Sequence, residues 1–210
     1  MNVTIITGNL GKLNEFNNIF EQLKLPVTFN SKQVDLIEIQ AKTAEEVSLN
    51  KMKDLIQKNI IDLNKSYIVE DSALTEVDGL LPGPFIKFYD YGDGNGFMPL
   101  VNQFGGKSVV ASAVITFYNN GDITQFTGQL TGSIVTNTDV DLPRGEHGFG
   151  WDNVFNVAES ELSKLDDLDR SNKYHPCFTL AELSFEQKNK ISQRRKAIDK
   201  LASHIKKLMT

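Results

Sequence analysis

The sequence of 210 residues contains a single cysteine and three histidines, and it has no long apolar segment. Cys177 cannot form an internal disulfide bond, which is typical of proteins in a reducing compartment. His147, His175 and His204 lack the spacing of metal ligands, so we interpret all three as structural. No apolar run reaches the ~18 residues of a membrane-spanning helix, and the first residues lack the basic segment of a signal peptide. We therefore expect a cytoplasmic protein with no membrane partner.

Positive charge is also scarce, because 22 lysines and arginines stand against 27 aspartates and glutamates. The formal net charge of −5 argues against a nucleic-acid partner, which would need a broad basic surface. It leaves room for a local basic pocket that binds a small anion. No internal repeat, low-complexity tract or linker rich in Pro, Gly and Ser divides the chain, so we expect one domain over residues 1–210.

The spacing of apolar residues predicts a mixed α/β domain. A strand over residues 3–6 precedes a helix from Lys12, and a second helix starts near Thr43. Residues 67–69 are typical of a buried strand that ends at two acids, and Asn120-Gly121 predicts a hairpin turn. After Ser184, a capping box and one apolar stripe running to Leu208 predict a C-terminal helical segment. We expect a mixed parallel and antiparallel sheet with flanking helices.

The loop at residues 7–12 combines small residues with a lysine between the first strand and the first helix. Thr7, Gly8 and Asn9 let the backbone approach a ligand, the helix N-terminus points N–H groups outward, and Lys12 adds a positive charge. The loop therefore predicts a phosphate-binding site, although its spacing fits neither a Walker A loop nor a Rossmann fingerprint. The alternative is a tight turn with an exposed lysine.

Charged residues near the predicted strand at 67–69 form a second motif. Glu70 and Asp71, followed by Ser72, stand at its expected end, where paired carboxylates suit Mg²⁺ together with substrate phosphates. Glu38 is a weaker candidate for a second metal ligand from a loop. Lys51 falls in an otherwise apolar helical row, so it faces inward or toward a cleft, either to snorkel out to solvent or to reach a phosphate. The alternative for the acids is a solvated strand end.

Two later segments have the composition of a site for an aromatic anion. Residues 147–152 place Trp151 beside Phe149, Gly150 and Asp152, a set that suits stacking and edge hydrogen bonds to an aromatic heterocycle. Residues 188–196 form a basic cluster that suits an anionic partner. The structural alternatives are a core tryptophan beside a glycine turn and a solvated helix face.

Taken in order along the chain, these motifs resemble those of the inosine triphosphate pyrophosphatase family. That family hydrolyses deaminated purine nucleoside triphosphates (ITP, dITP and XTP) to the nucleoside monophosphate and pyrophosphate. The resemblance implies a fold of two lobes around a nucleotide-binding cleft, a required Mg²⁺ and a homodimer. Because a site made of oxygen ligands suits both ions, Mn²⁺ should partly substitute for Mg²⁺. The matching segments are residues 7–9, 69–72, 81–87, 149–152, 181–183 and 188–192, which span nearly the whole chain.

The resemblance also implies a role for each matching residue. Asp71 matches the proton acceptor and, together with Glu38, the metal ligands, while Lys51 matches a catalytic lysine that contacts the phosphates. The other matches are substrate contacts: Thr7, Gly8, Asn9 and Lys12 at the triphosphate, Lys188 at a phosphate, Ser72 beside the substrate, Phe149, Gly150, Trp151 and Asp152 around the base, and Ser192, Gln193 and Arg194 at its 6-oxo edge.

One departure from the family lies in the last segment, where Gln193 stands in place of a histidine. Three hypotheses stay open. The first is a pyrophosphohydrolase of deaminated purine nucleotides. The second has the same chemistry with a shifted or broadened base preference, because glutamine can both donate and accept hydrogen bonds. The third is a non-catalytic nucleotide-binding module, and the retained acids and lysines argue against it.

Overall fold

The computed structural model describes residues 1–90, 97–138, 142–169 and 177–209, so His175 lies outside the described residues. The chain divides into two compact units. Unit 1 comprises Met1–Ser72, Ser112–Gly128 and Gln193–Thr210, and unit 2 comprises Ala73–Ala111 and Gln129–Ser192.

Strands and helices alternate in the first part of the chain, and a long hairpin follows. The strands are β1 (Asn2–Ile6), β2 (Thr28–Lys32), β3 (Ser66–Glu76), β4 (Pro82–Gly83), β5 (Ser108–Asn119), β6 (Asp122–Ile134) and β7 (Phe155–Val157). The α-helices are α1 (Leu10–Gln22), α2 (Ala44–Gln57), α3 (Met98–Phe104), α4 (Glu159–Leu162), α5 (Phe185–Ile191) and α6 (Gln193–Leu208). Short 3₁₀ helices cover Pro84–Tyr89, Gly150–Val154 and Leu180–Glu182.

Unit 1 is built on a parallel start. β1 pairs in parallel with β2, with Val3 opposite Phe29, and with β3, with Val3 opposite Ser66. The strand order within the unit is β2-β1-β3-β5-β6. Phe16 of α1 packs edge-on against Phe29 with ring centroids 5.5 Å apart, and Ile198 of α6 lies in the same buried cluster. Burial of these apolar side chains is the main force that holds the helices on the sheet.

Side-chain caps set where the helices of unit 1 begin. Oδ1 of Asn9 accepts hydrogen bonds from the first turn of α1, so this helix starts at Leu10. Thr43 and Glu46 form a reciprocal capping box at the start of α2, and this helix begins next to Thr43, as the sequence predicts. The caps fix the positions of Lys12 and Lys51, which lie on these two helices.

Unit 2 is antiparallel and has a core of its own. β4 pairs antiparallel with β3, with Leu74 opposite Gly83, and β7 pairs antiparallel with β6, with Ile134 opposite Phe155. The apolar core of the unit contains buried side chains from its strands, from α3 and α5, and from the 3₁₀ helices, among them Leu74, Ile86, Leu100, Val109, Phe155, Leu180 and Ile191.

Two predictions about where elements end are wrong. The strand at residues 67–69 does not end at Glu70 but continues to Glu76, because β4 provides a new pairing partner after β1 has ended. The C-terminal apolar stripe is not one continuous face. Ile191 ends α5 in the core of unit 2, α6 packs in the core of unit 1, and Leu208 is 49% exposed.

The predicted fold class is confirmed, since helices flank a mixed parallel and antiparallel sheet. Among the helices of the described ranges, none is both long and apolar enough to span a membrane.

Candidate active site

The loop between β1 and α1 is held by its own side chains. Oγ1 of Thr7 accepts a hydrogen bond from the backbone N–H of Asn9 at 3.0 Å. Oδ1 of Asn9 accepts from the backbone N–H groups of Gly11 at 2.8 Å and Lys12 at 3.3 Å. Two of the backbone N–H groups that we predicted to bind a phosphate therefore donate to Asn9 instead. Gly8 is exposed, and the Lys12 side chain leaves the first turn of α1.

Lys51 lies between two carboxylates, and we call Glu38, Lys51 and Asp71 the Lys51 cluster. Nζ of Lys51 is 2.6 Å from Oδ1 of Asp71 and 2.7 Å from Oε1 of Glu38. The Lys51 and Asp71 side chains are 9% and 12% exposed, whereas that of Glu38 is 35% exposed. The prediction that Lys51 faces inward is confirmed, and its ammonium group is paired rather than released to solvent.

Buried hydroxyl groups anchor the helix that carries Lys51. Oγ of Ser48, one turn before Lys51 on α2, is 2.7 Å from Oγ1 of Thr116 on β5. Nε2 of Gln125 on β6 donates to Oγ1 of Thr116 and to the backbone carbonyl of Glu45, both at 2.9 Å. These hydrogen bonds fix α2 on the sheet of unit 1, and they therefore fix the direction from which Lys51 approaches Asp71.

The surroundings of Asp71 favour its use as a proton acceptor. Burial raises the pKa of Asp71 above its ordinary value, although the positive charge of Lys51 opposes this shift. A carboxylate with a raised pKa takes up a proton more readily than an exposed aspartate does. The Lys51 cluster can therefore accept a proton at Asp71, and because its two carboxylates outweigh its one ammonium group, it attracts a cation.

A second group of buried charges, the Arg194 cluster, comprises Lys12, Glu15, Glu70 and Arg194. Nη1 of Arg194 donates to Oε2 of Glu15, and its Nε and Nη2 donate to Oε1 of Glu70 at 3.3 and 3.2 Å. Oε2 of Glu70 is 2.8 Å from Nζ of Lys12, and the hydroxyl of Ser72 donates to Oε1 at 2.9 Å. The cluster thus alternates two cations with two carboxylates.

The charges of this cluster hold one another ionised. Burial alone would raise the pKa of Glu70, but the charges of Arg194 and Lys12 outweigh it and lower this pKa to about 2. Burial would lower the pKa of Arg194, but Glu70 and Glu15 outweigh it and raise this pKa. Of the two adjacent acids on β3, Asp71 is therefore suited to proton transfer, whereas Glu70 stays ionised and holds Lys12 and Arg194 in place.

In unit 2, the segment around Phe149 forms a pocket of about 210 Å³ lined by residues 145–150, 152 and 153. Oδ2 of Asp152 accepts from the backbone N–H of Phe149 at 2.8 Å and from Nζ of Lys188 at 2.7 Å. A side chain at Gly148, where φ is +85°, would come within 2.3 Å of Oδ2 of Asp152, so the turn requires glycine. His147 also lines the pocket.

The aromatic side chains of this segment differ in exposure and in contacts. Phe149 is 38% exposed, and Nζ of Lys188 lies 4.7 Å from its ring centroid, within reach of a cation–π interaction. Trp151 packs on the core of unit 2, edge-on to Phe97 with ring centroids 6.2 Å apart. Gly150, between Phe149 and Trp151 in the chain, has a φ angle of +64°. Phe149 is thus open to a planar ligand, whereas Trp151 mainly supports the turn.

The segment that departs from the family is buried. Ser192 is the C-cap of α5 in unit 2 and is 2% exposed. Gln193 begins α6 in unit 1 and is 4% exposed, and its Oε1 has no hydrogen-bond partner within the described ranges. A Cβ atom at Gly128 would lie 2.0 Å from the carbonyl oxygen of Gln193, so α6 approaches β6 too closely for any larger residue. Gln193 is therefore a buried polar side chain with an unused acceptor.

Comparison with known proteins identifies the family. The model of the Ham1 family matches residues 3–204. The chain belongs to the Ham1 family. Its relatives include "Inosine triphosphate pyrophosphatase 2" of Trypanosoma cruzi, 35% identical over 206 residues that cover 96% of this chain and 91% of the relative. "Inosine triphosphate pyrophosphatase" of Yarrowia lipolytica is 36% identical over 206 residues, covering 96% and 94%. The resemblance drawn from the sequence motifs is confirmed.

A solved structure supports the fold of this Ham1 protein. The crystal structure of a nucleoside-triphosphatase / dITP/XTP pyrophosphatase from Mycobacterium abscessus superposes with a TM-score of 0.63 at 19% sequence identity. The similarity covers 96% of this chain and 97% of the other. At this level of identity the comparison bears on the fold alone.

The structure of this Ham1 protein brings several predicted site residues into contact with one another. Lys51 contacts Glu38 and Asp71, and Asp152 contacts Phe149 and Lys188. The sequence missed Glu15, which follows Lys12 by three residues and precedes the buried Ile19 by four. An acid in such a helical row is a recognisable signal for a buried pair. Unit 1 holds Thr7, Gly8, Asn9, Lys12, Glu38, Lys51, Asp71, Ser72, Gln193 and Arg194, and unit 2 holds Phe149, Gly150, Trp151, Asp152, Lys188 and Ser192.

Proposed function

We propose that this Ham1 protein hydrolyses deaminated purine nucleoside triphosphates (ITP, dITP and XTP) to the nucleoside monophosphate and pyrophosphate. The observation that carries the proposal is the Lys51 cluster, in which a buried carboxylate with a raised pKa touches a buried lysine. The names of the relatives, inosine triphosphate pyrophosphatases, agree with this chemistry. Removal of such triphosphates would cleanse the nucleotide pool.

The Lys51 cluster also fits a divalent metal. Among the described residues, no group of three or more His, Cys, Asp and Glu side chains could hold a metal ion by itself. Mg²⁺ in phosphate chemistry, however, commonly uses one or two carboxylates and takes its other ligands from phosphates and water. Glu38 and Asp71 already share one cation, the Lys51 ammonium, so both carboxylates face the same point. We propose that Glu38 and Asp71 hold Mg²⁺, with Mn²⁺ as a partial substitute.

The chain's own groups divide the work of the reaction. Bound Mg²⁺ would acidify a water molecule and offset charge on the phosphates. Asp71 accepts the proton of the attacking water. Lys51, and Lys12 from the first turn of α1, attract the triphosphate and offset the charge that develops on the leaving pyrophosphate. Glu70 keeps Lys12 and Arg194 in place, because it contacts both.

Phe149 and Asp152 are proposed to recognise the base. The Phe149 ring offers an accessible aromatic face, and a purine gains stacking energy on such a face. Asp152 is held by Lys188 and by the N–H of Phe149, so its carboxylate has a fixed direction. Lys188 in turn is proposed to contact a phosphate, and Ser192, Gln193 and Arg194 the 6-oxo edge.

A second candidate is the same hydrolysis with a shifted or broadened base preference. The observation that favours it is the buried Oε1 of Gln193, which has no partner within the described ranges. A buried acceptor gains from a donor, and a 6-amino group of adenine is one, whereas a 6-oxo group is not. The amide of Gln193 could therefore accept ATP better than a histidine at this position would.

The test is release of pyrophosphate from ITP, XTP, GTP and ATP by the wild-type protein and by Asp71→Asn. We expect ITP and XTP to be the best substrates, and we expect Asp71→Asn to lower kcat by ~10² or more while the protein stays folded. The matched control is Asp62→Asn, which changes an exposed aspartate of unit 1. Near wild-type turnover by Asp71→Asn would remove this residue from the mechanism.

We also propose that the protein is a cytoplasmic homodimer. The single cysteine agrees with a reducing compartment, and the dimer rests on the resemblance to the family and on the frequency of two-fold dimers. Light scattering at micromolar concentration tests the dimer, and a monomeric mass would refute it.

A further inference from the structure

The ammonium group of Lys51 occupies the position between the two carboxylates proposed to hold the metal. Its Nζ is 2.7 Å from Oε1 of Glu38 and 2.6 Å from Oδ1 of Asp71, and these are its polar partners within the described ranges. We infer that Lys51 is a built-in competitor of the divalent cation, which must displace the ammonium group before it can bind both acids. This inference rests on the proposed function, because it concerns the metal of the same site.

The electrostatics of the cluster support competition rather than joint occupancy. A Mg²⁺ ion needs ligand oxygens at ~2.0–2.1 Å, so an ion on both carboxylates would nearly coincide with the present ammonium group. The Lys51 side chain is 9% exposed, and little water is available to screen the repulsion between the two cations. The ammonium group must therefore move away when the ion enters.

A lysine displaced from these carboxylates needs another anion, because an unpaired buried charge is costly. The phosphates of the substrate are such an anion. Metal and triphosphate should consequently bind cooperatively. The metal displaces the ammonium group from the two carboxylates, and the phosphates neutralise the displaced ammonium group. Without a nucleotide, the protein should hold a divalent ion weakly, and the ammonium group should keep the two acids together in its place.

The test is direct binding of Mn²⁺ to the full chain without nucleotide, followed by electron paramagnetic resonance of the free ion at pH ~8, where carboxylates are ionised. We expect Lys51→Met to bind Mn²⁺ at least about tenfold more tightly than the wild type. The control is Lys53→Met, which removes an equal charge from an exposed position of the same helix. It should change the affinity by less than about threefold. Equal or weaker binding by Lys51→Met, or an equal gain in Lys53→Met, would overturn the inference.

A second measurement covers the case in which Lys51→Met is only marginally folded. At one ligand concentration, a ligand that binds the folded state more tightly raises the unfolding temperature further, so Mn²⁺ should stabilise Lys51→Met more than it stabilises the wild type. Lys51→Arg keeps the positive charge and should remain like the wild type. A Mn²⁺-induced shift that is equal in Lys51→Met, Lys51→Arg and wild type would contradict competition.

These results are separable from the proposed function. If the wild type releases pyrophosphate from ITP and Lys51→Met gains no affinity for Mn²⁺, the competition alone is refuted. If Lys51→Met gains affinity and the wild type hydrolyses no nucleoside triphosphate, the proposed function alone is refuted.

Discussion

Glu15 offers the sharpest test of the charge arrangement in unit 1, because it is a buried acid that is not among the site residues predicted from the sequence. Its carboxylate accepts a hydrogen bond from Nη1 of Arg194, and the side chains of both residues are 5% exposed. Removing one partner of a buried ion pair costs ~3–5 kcal/mol of stability. In Glu15→Gln the new amide keeps an acceptor and Arg194 keeps Glu70, so we expect the lower end, about 3 kcal/mol. For a chain of this size that corresponds to a decrease in Tm of about 6–12 °C.

The assay is urea and thermal unfolding followed by circular dichroism. The matched control is Glu21→Gln, which makes the same chemical change at an exposed position of the same helix and should stay within about 0.5 kcal/mol of the wild type. If Glu15→Gln is as stable as Glu21→Gln, the pair with Arg194 contributes no net stability and the reasoning is wrong.

Three further predictions concern pH, base preference and metal. The pKa of Glu70 is lowered from 4.5 to about 2, so the wild type should lose stability as pH falls between these values, and Glu70→Gln should lose less. Thermal unfolding measured against pH checks this, and parallel curves of Tm against pH for the two proteins would refute it. Gln193→His should raise the ratio of kcat/KM for ITP over ATP several-fold, because a histidine N–H donates to the 6-oxo group of ITP and opposes the 6-amino group of ATP, whereas the amide can rotate to accept from that amino group. An unchanged ratio would contradict the role of Gln193. Excess chelator should abolish activity and Mn²⁺ should partly restore it, whereas full activity in chelator would remove the metal from the account.

Local chemistry explains why the sequence predicted the elements well. Asn9, Thr43 and Ser184 each cap a helix, as short polar side chains do, and a cap can be recognised within four residues. Asn120 has positive φ in the turn between β5 and β6, as the Asn-Gly pair predicts. The inward direction of Lys51 followed from helical spacing alone.

Long-range pairing explains what the sequence could not predict. The end of β3 depended on whether another strand would continue its ladder, and β4 supplies that partner from a later turn. Glu15 and Arg194 are 179 residues apart in the chain, so no local pattern joins them. The basic run at residues 188–196 was typical of a solvated helix face, yet Lys188 and Arg194 are buried against acids from distant elements. Such ion pairs form only when the fold brings the two residues together, and a residue buried in this way needs a partner of opposite charge.

The most direct test of the central claim is identification of the bond that is cleaved. ITP incubated with the wild-type protein and Mg²⁺, and followed by ³¹P nuclear magnetic resonance, should give equal amounts of inosine monophosphate and pyrophosphate. Formation of inosine diphosphate and inorganic phosphate, or no turnover of ITP, would contradict the account.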